Sequence, residues 1–221
     1  MSKATFPSPL RGILLDMDGV VVDSEPILLD AVSRLFAEKG VSVGAADCQP
    51  FFGTGEDHLL EGVAAKHGVT IDFPCDLDRL YALYLALIPG RLKALPGVFD
   101  FLAEARRRHL KVALASSAAA IKVEHNLREV GLTFSSFDAV VDAQDVKHKK
   151  PHPDIFLKAA HRLGLPPAAC LVVEDAVAGV EAARAAGCRC LALTTTFPAE
   201  RLTAADWVAP NLAHVPPEAW Q

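Results

Sequence analysis

The 221-residue sequence predicts an α/β fold: an open, parallel Rossmann-like sheet with an inserted α-helical cap domain. Three observations predict it. Short aliphatic runs recur along the chain, each closing on polar residues: GILLD (12–16), KVALAS (111–116), AVVDA (139–143), CLVVED (170–175) and CRCLAL (188–193). Helix-period segments lie between the later runs. One long interval, residues 25–92, carries helical signals alone.

Near-continuous apolar runs of this length read as strands covered on both faces, hence parallel ones. The first interval after a strand reads as three helices, with 26–39 stopping at Gly40, 56–67 stopping at Gly68, and 77–88 placing Leu77, Leu80, Tyr81, Tyr84 and Ile88 on one face. It is too long for a single crossover. The expected division is therefore a core of residues 1–24 and 93–221 and a cap of 25–92, joined by a double hinge near residues 23–26 and 92–96. Further on, 98–108 groups Val98, Phe101, Leu102 and Ala105 on one face, with its closing arginines suited to the negative end of the helix dipole. The segments 118–130, 154–163 and 176–186 end at Gly131, Gly164 and Gly187, as C-terminal glycines do, and Asp154 is the expected N-cap of the second.

The composition narrows the function. The chain is 51% hydrophobic with a formal net charge of −5, so it can bury a core and lacks the basic footprint of a nucleic-acid binder. No stretch reaches the ~18 apolar residues of a membrane span, and the N-terminus shows no secretory h-region. The five cysteines have no paired zinc-like spacing; Cys188 and Cys190 read as buried thiols on one strand face. A cytoplasmic location and a monomer are the default expectations.

In an open α/β sheet, ligands bind beyond the carboxyl ends of the strands. The residues closing the runs are Asp16 with Asp18, Ser116, Asp142, and Glu174 with Asp175, all of which parallel strands bring to one edge. Clustered acids stay ionised only beside a cation, and hard carboxylate oxygens suit Mg²⁺. The i, i+2 spacing puts Asp16 and Asp18 on one side of an extended chain, where one could attack and the other handle a proton. Gly19 permits a sharp turn and close approach of its N–H to an anion. A plain turn and N-cap role for the same aspartates competes with this reading.

DMDGVVVDSEP (16–26) resembles the first signature of the haloacid dehalogenase-like phosphohydrolases. LASSAA (114–119), KKPHPDIF (149–156) and VVEDAVAGVEAARAAG (172–187) resemble the remaining three, in the order that superfamily uses, and the whole core is covered. The branch it resembles is the β-phosphoglucomutase/phosphatase-like one with a helical cap. The resemblance implies that Asp16 attacks phosphorus to form an aspartyl-phosphate. It implies that Asp18 protonates the leaving oxygen and then activates water, that Ser116 binds a phosphoryl oxygen with Ser117 and Gly19 beside it, and that Lys150 neutralises charge. Mg²⁺ would be held by Asp16, the carbonyl of Asp18, Asp175 and, directly or in an outer position, Glu174.

Other polar residues read as structural or peripheral. Asp23, Asp142 and Asp145 read as structural, Lys147 and Lys149 as surface lysines, and Glu25 as able to reach the site mouth. GTGEDH (53–58) lacks the third glycine and the preceding strand of a dinucleotide loop and reads as a cap loop facing the site. His148, His152 and His161 have no metal-ligand spacing. A mutase of this branch usually carries a histidine where Leu28 stands, an arginine where Glu56 stands, and Lys-Asn-type residues where Ala119 and Ala120 stand. These departures favour a Mg²⁺-dependent phosphatase of a small phosphorylated, sugar-like metabolite. The mutase is the alternative, with Arg91 and Lys93 as substitute cations.

Overall fold

The computed structural model describes residues 8–221; the N-terminal stretch read for a signal lies largely outside them. Six strands form one sheet: β1 (Gly12–Leu15), β2 (Lys111–Ala115), β3 (Ala139–Val141), β4 (Cys170–Glu174), β5 (Arg189–Leu193) and β6 (Trp207–Ala209). Their order is β3-β2-β1-β4-β5-β6, and every neighbouring pair is parallel. The first strand in sequence therefore lies inside the sheet, between β2 and β4.

The period-2 alternation of the strands divides the core into two layers. Ile13, Leu15, Val112, Leu114, Leu171 and Val173 face one side and pack with α5 (Val98–Arg107) and α6 (Ala120–Glu129). Leu14, Ala113, Ala115, Val172, Cys190 and Ala192 face the other, against α7 (Asp154–Leu163) and α8 (Val177–Ala185). Full burial of each large aliphatic side chain contributes roughly 1.5–3 kcal/mol, which makes both layers strong constraints on register. Cys188 and Cys190 share the second layer as free thiols, whereas Cys75 is exposed.

Between β1 and α5 the described elements are helical: α1 (Glu25–Glu38), the short α2 (Ala45–Cys48), α3 (Glu56–His67) and α4 (Cys75–Leu87), with no strand among these described residues. Ile27, Leu35, Phe36, Leu59, Leu60, Leu80 and Tyr84 bury their side chains in the same continuous core as the first layer. Two chain passages link this segment to the sheet, and they pair with each other: Asp23 N–H donates to the Lys93 carbonyl at 3.0 Å, and Leu95 N–H to Val21 at 3.0 Å. Among the described residues no helix is long and apolar enough to cross a membrane.

Two expectations require correction. Asp154 is the first helical residue of α7 and Pro153 occupies the N-cap. The Asp154 carboxylate instead gathers His148 (3.0 Å) and His152 (2.8 Å), so these two histidines do converge despite their unpromising spacing. Strand β6 was not expected, because Val208 at its centre is exposed and only Ala209 is buried, so no apolar run marks it.

Candidate active site

The strand ends build the site. Asp16 extends β1 by one ladder bond, its N–H donating to Val173 at 3.0 Å. The chain then turns through Met17 to Val22, with the N–H groups of Val21 (2.8 Å) and Val22 (3.0 Å) converging on the Met17 carbonyl. Gly19 has φ +74°, and a Cβ there would collide with the Asp175 carboxylate and lie 2.9 Å from Thr196 Oγ1. Its N–H does not face an anion; it donates to Val22 at 2.9 Å, so glycine is needed for the turn and the close packing of Asp175.

One strand over, Glu174 and Asp175 close β4 and are almost completely buried. Lys150, 2% exposed, reaches in from the loop before α7 and pairs with Asp16 Oδ1 and, at 2.6 Å, with Glu174 Oε1. The second Glu174 oxygen accepts the N–H groups of Asp175 and Ala176, both at 2.8 Å. Glu174 thus fixes Lys150 from behind and has no oxygen left uncommitted. Ser116, buried at the end of β2, accepts the Ala118 N–H at 3.2 Å. Its neighbour Ser117 lines the cavity, and Ser116 does not.

The cavity lies between these strand ends and helices α1 and α3. Asp16, Asp18, Asp175, Ser117 and Lys122 form its polar floor and wall, and Glu25 its rim. Gly53, Gly55 and Glu56 of the expected loop face it, flanked by Phe51, Phe52, Leu28 and Leu59. Lys150 and Glu174 lie behind that lining. Lys149, read as a surface lysine, crosses instead to Asp57 on α3. Arg91 pairs with Asp30 at 2.8 Å, and Arg91 and Lys93 are absent from the cavity lining. Asp142 caps the next turn through Gln144 N–H at 2.8 Å and Asp145 pairs with Arg162, both structural as expected.

Lys122 is the buried cavity-lining residue that sequence reading passed over. It is 1% exposed and pairs with Asp18 Oδ2 at 3.0 Å and Glu56 Oε1 at 2.8 Å. The available signal was a lysine and an asparagine, Lys122 and Asn126, four residues apart on the same helical face as Val123 and Leu127. Ser24, also overlooked, donates its hydroxyl to Asp18 Oδ1.

The electrostatics of this arrangement call for a cation. Burial pushes the Asp16 carboxyl up to about 7; Lys150 opposes the shift, and Glu174 and Asp18 add to it. Burial raises Asp175 well above the usual carboxylate range, followed by Glu174 and Asp16. Glu25 rises to about 7, again chiefly through burial, although Thr196 hydrogen-bonds it. Burial would depress the Lys150 and Lys122 ammoniums, but their carboxylate neighbours overcome it and raise both. Among the described residues, Asp16, Asp18, Glu25, Glu56, Glu174 and Asp175 thus have between them just two paired ammonium groups, Lys122 and Lys150. The surplus of buried carboxylate, all hard oxygen, is the donor chemistry of a divalent cation such as Mg²⁺ or Ca²⁺.

A family model described as haloacid dehalogenase-like hydrolase matches residues 10–187. The chain is 44% identical over 191 residues to Protein SUPPRESSOR OF QUENCHING 1, chloroplastic, of Arabidopsis thaliana; the match takes in 85% of this chain and 18% of that protein, so the chain spans under a fifth of that relative's length. It is 30% identical over 199 residues to Hexitol phosphatase B of Escherichia coli K12, covering 83% of each. Its fold matches the crystal structure of CbbY from Rhodobacter sphaeroides in complex with phosphate, with a TM-score of 0.83, 26% identity, and coverage of 92% of this chain and 95% of that one.

Proposed function

Because the chain belongs to the haloacid dehalogenase-like hydrolases, we propose that it is a Mg²⁺-dependent phosphatase that hydrolyses a small, sugar-like phosphate monoester through an aspartyl-phosphate on Asp16. The observation that carries this reading is the convergence of Asp16, Lys150, Glu174 and Asp175 at adjacent strand ends beside a cavity. That Hexitol phosphatase B resembles this chain over most of both lengths is consistent with the substrate class.

In this mechanism Asp16 attacks phosphorus and the bond to the leaving oxygen breaks. Asp18 supplies the proton that oxygen needs, then takes one from the water that releases phosphate. Lys150 holds the Asp16 carboxylate ionised and aimed, and Glu174 holds Lys150. The cation would be held by Asp16, the Asp18 carbonyl and Asp175. Glu174 serves in an outer position, since Lys150 and two N–H groups occupy its oxygens. When bound, the cation supplies charge neutralisation at the phosphoryl oxygens. Ser117 at the cavity wall, with Ser116 beneath it, supports the phosphoryl group. Positioning and fixed charge account for most of the rate in such transfers. Helices α1–α4 act as the cap, and the paired passages near Asp23 and Leu95 are the hinge.

Hydrolysis is favoured over mutation by the cavity lining. Lys122 is the one ammonium or guanidinium among the described lining residues, and Asp18 and Glu56 already neutralise it. Leu28 and Glu56 offer nothing to a second phosphate. A phosphate-release screen over sugar phosphates and other phosphometabolites with Mg²⁺ tests the reading. Sugar monophosphates should release phosphate, and Asp16→Asn should abolish turnover while the fold persists. Conversion of β-glucose 1-phosphate to glucose 6-phosphate with little free phosphate would favour the mutase, and full activity in EDTA would reject the mechanism.

A further inference from the structure

His148, His152 and Asp154 form a cluster that the active site does not use. His148 and His152 stand two residues to either side of Lys150, and Asp154 opens α7. The Lys150 ammonium is buried against Asp16 and Glu174, whereas both imidazoles are about half exposed. The Asp154 carboxylate lies between them. One oxygen is 3.0 Å from His148 Nδ1 and the other 2.8 Å from His152 Nδ1, and the two rings are 4.6 Å apart, centre to centre. One ligand atom from each of the three residues falls within 4.8 Å of the other two. The His148 main-chain N–H also donates to Asp154 Oδ2, at 3.2 Å, so the backbone as well as an imidazole orients the carboxylate. Among the described residues no lysine or arginine pairs with Asp154; its ion-pair partners are these two imidazoles.

From this geometry we propose that His148, His152 and Asp154 form a second metal site, for a transition-metal ion of the Zn²⁺ type, separate in place and in chemistry from the carboxylates at the strand ends. Imidazole nitrogen suits zinc, copper and nickel, whereas the hard oxygens of Asp16 and Asp175 suit Mg²⁺. Ligand atoms held ~2.0–2.2 Å from a tetrahedral zinc ion lie roughly 3.3 Å from one another. The two imidazole–carboxylate separations are already close to that value, and the 4.8 Å limit holds for the nitrogen pair as well. Both imidazoles are exposed enough to turn, so rotation of side chains closes the set without a new backbone path. An entering ion displaces the proton that each short nitrogen–oxygen contact shares, and the open side leaves its fourth position to water. The His148 N–H then serves as the outer contact that keeps the carboxylate aimed. Because both histidines belong to the segment that carries Lys150, the ion clips that segment to the first turn of α7. The site lies outside the proposed catalytic centre and holds whether or not the chain is a phosphatase.

The test reads binding rather than turnover. The full chain is stripped with EDTA, returned to buffer with Mg²⁺ in excess to block the carboxylate site, and titrated with ZnCl₂ in a calorimeter. The wild type should bind one Zn²⁺ that the His148→Gln/His152→Gln variant does not. Each single variant should weaken that site more than ~10-fold, since even the outer partner of a metal ligand is worth about 10–100-fold in affinity. Long-range ¹H–¹⁵N spectra of the wild type read the ligands themselves: the Nδ1 signals of His148 and His152 should move to the shift of zinc-bound nitrogen. Equal Zn²⁺ stoichiometry and affinity in the wild type and the double variant overturns the site. So do Nδ1 signals that stay unmoved at saturating Zn²⁺. The spectra need no substitution, so a variant that fails to fold does not shelter the proposal.

Discussion

Gly179 gives the sharpest test of how the site is held, because it touches no reacting atom. It lies in the first turn of α8, and a Cβ there would overlap both carboxylate oxygens of Glu174. Gly179→Ala has ordinary backbone angles in its favour and should gain about 1 kcal/mol of helix propensity. Against this, the Glu174 carboxylate must move away from Lys150 (2.6 Å) and from the N–H groups of Asp175 and Ala176 (2.8 Å each). Hydrogen bonds to a charged group contribute about 1.5–3 kcal/mol each, and breaking a buried pair costs about 3–5 kcal/mol. Lys150 keeps Asp16, so the expected net loss is about 2–4 kcal/mol, or roughly 4–16 °C in Tm for a chain of this size. Lys150 stays paired with Asp16 but is no longer fixed by Glu174, so the pair shifts together, and displacement of about 1 Å costs ~10²-fold in rate. Differential scanning fluorimetry and phosphate release from the best sugar monophosphate read the two effects. The double variant Glu174→Asp/Gly179→Ala, with one methylene fewer in the clash, should recover part of both. A Gly179→Ala protein with wild-type kcat and a raised Tm would refute the claim that Glu174 buttresses the site.

Further predictions concern the acids and the termini. In metal-free protein, Asp16 and Glu25 have folded pKa values of about 7 against ordinary values of 3.8 and 4.5. The folded state therefore keeps protons that the unfolded chain has released, and the associated stability is present below about pH 4 and lost as pH rises through 7. Urea denaturation in EDTA should show lower stability at pH 8 than at pH 5, and Mg²⁺ should reverse most of the difference; equal stability at both pH values would contradict the surplus of buried charge. Glu25→Gln should stabilise the metal-free protein at pH 8 but not at pH 4.5, by of order 2–3 kcal/mol from a shift of that size, measurable in the same experiment. Arg189, 2% exposed, donates to the main-chain carbonyls of Ser8 and Gln221 and so ties both ends of the described chain to β5. Arg189→Met should lower stability by about 3 kcal/mol, the scale of two charge-assisted hydrogen bonds, and a Tm within 2 °C of wild type would contradict that role.

Four strands were legible because burial on both faces leaves near-continuous apolar runs, and β3 because its residues stay apolar although it lies at the sheet edge; the polar residues after β1 and at the end of β4 mark where Asp16, Glu174 and Asp175 meet. Strand β6 was not legible, since it opens on a half-buried Trp207 and leaves Val208 exposed, so no buried apolar run marks it. The loop at Gly53–Gly55 was placed correctly over the cavity from the failure of its glycine pattern. Lys122 escaped because its burial is conferred from outside its own helix: a lysine on α6 reads as solvated until α3 and α4 cover it, and nothing local encodes that cover. Gly19 was legible as a turn but not in its use of the N–H, which depends on where Val22 returns. His148 and His152 converge through a loop whose path no spacing rule anticipates.

The central placement of β1 has a consequence for how the polypeptide matures. Strand β1, made before the other five, must wait for partners contributed by residues 111–115 and 170–174. At about 5–20 residues per second, roughly 10–30 s separate synthesis of Asp16 from that of Glu174 and Asp175. Throughout that interval GILL is a sticky, two-edged ribbon, and any nascent product ending before residue 175 is both inert and prone to clump. Premature termination in this gene therefore yields no partial enzyme, only a client for chaperones and proteases.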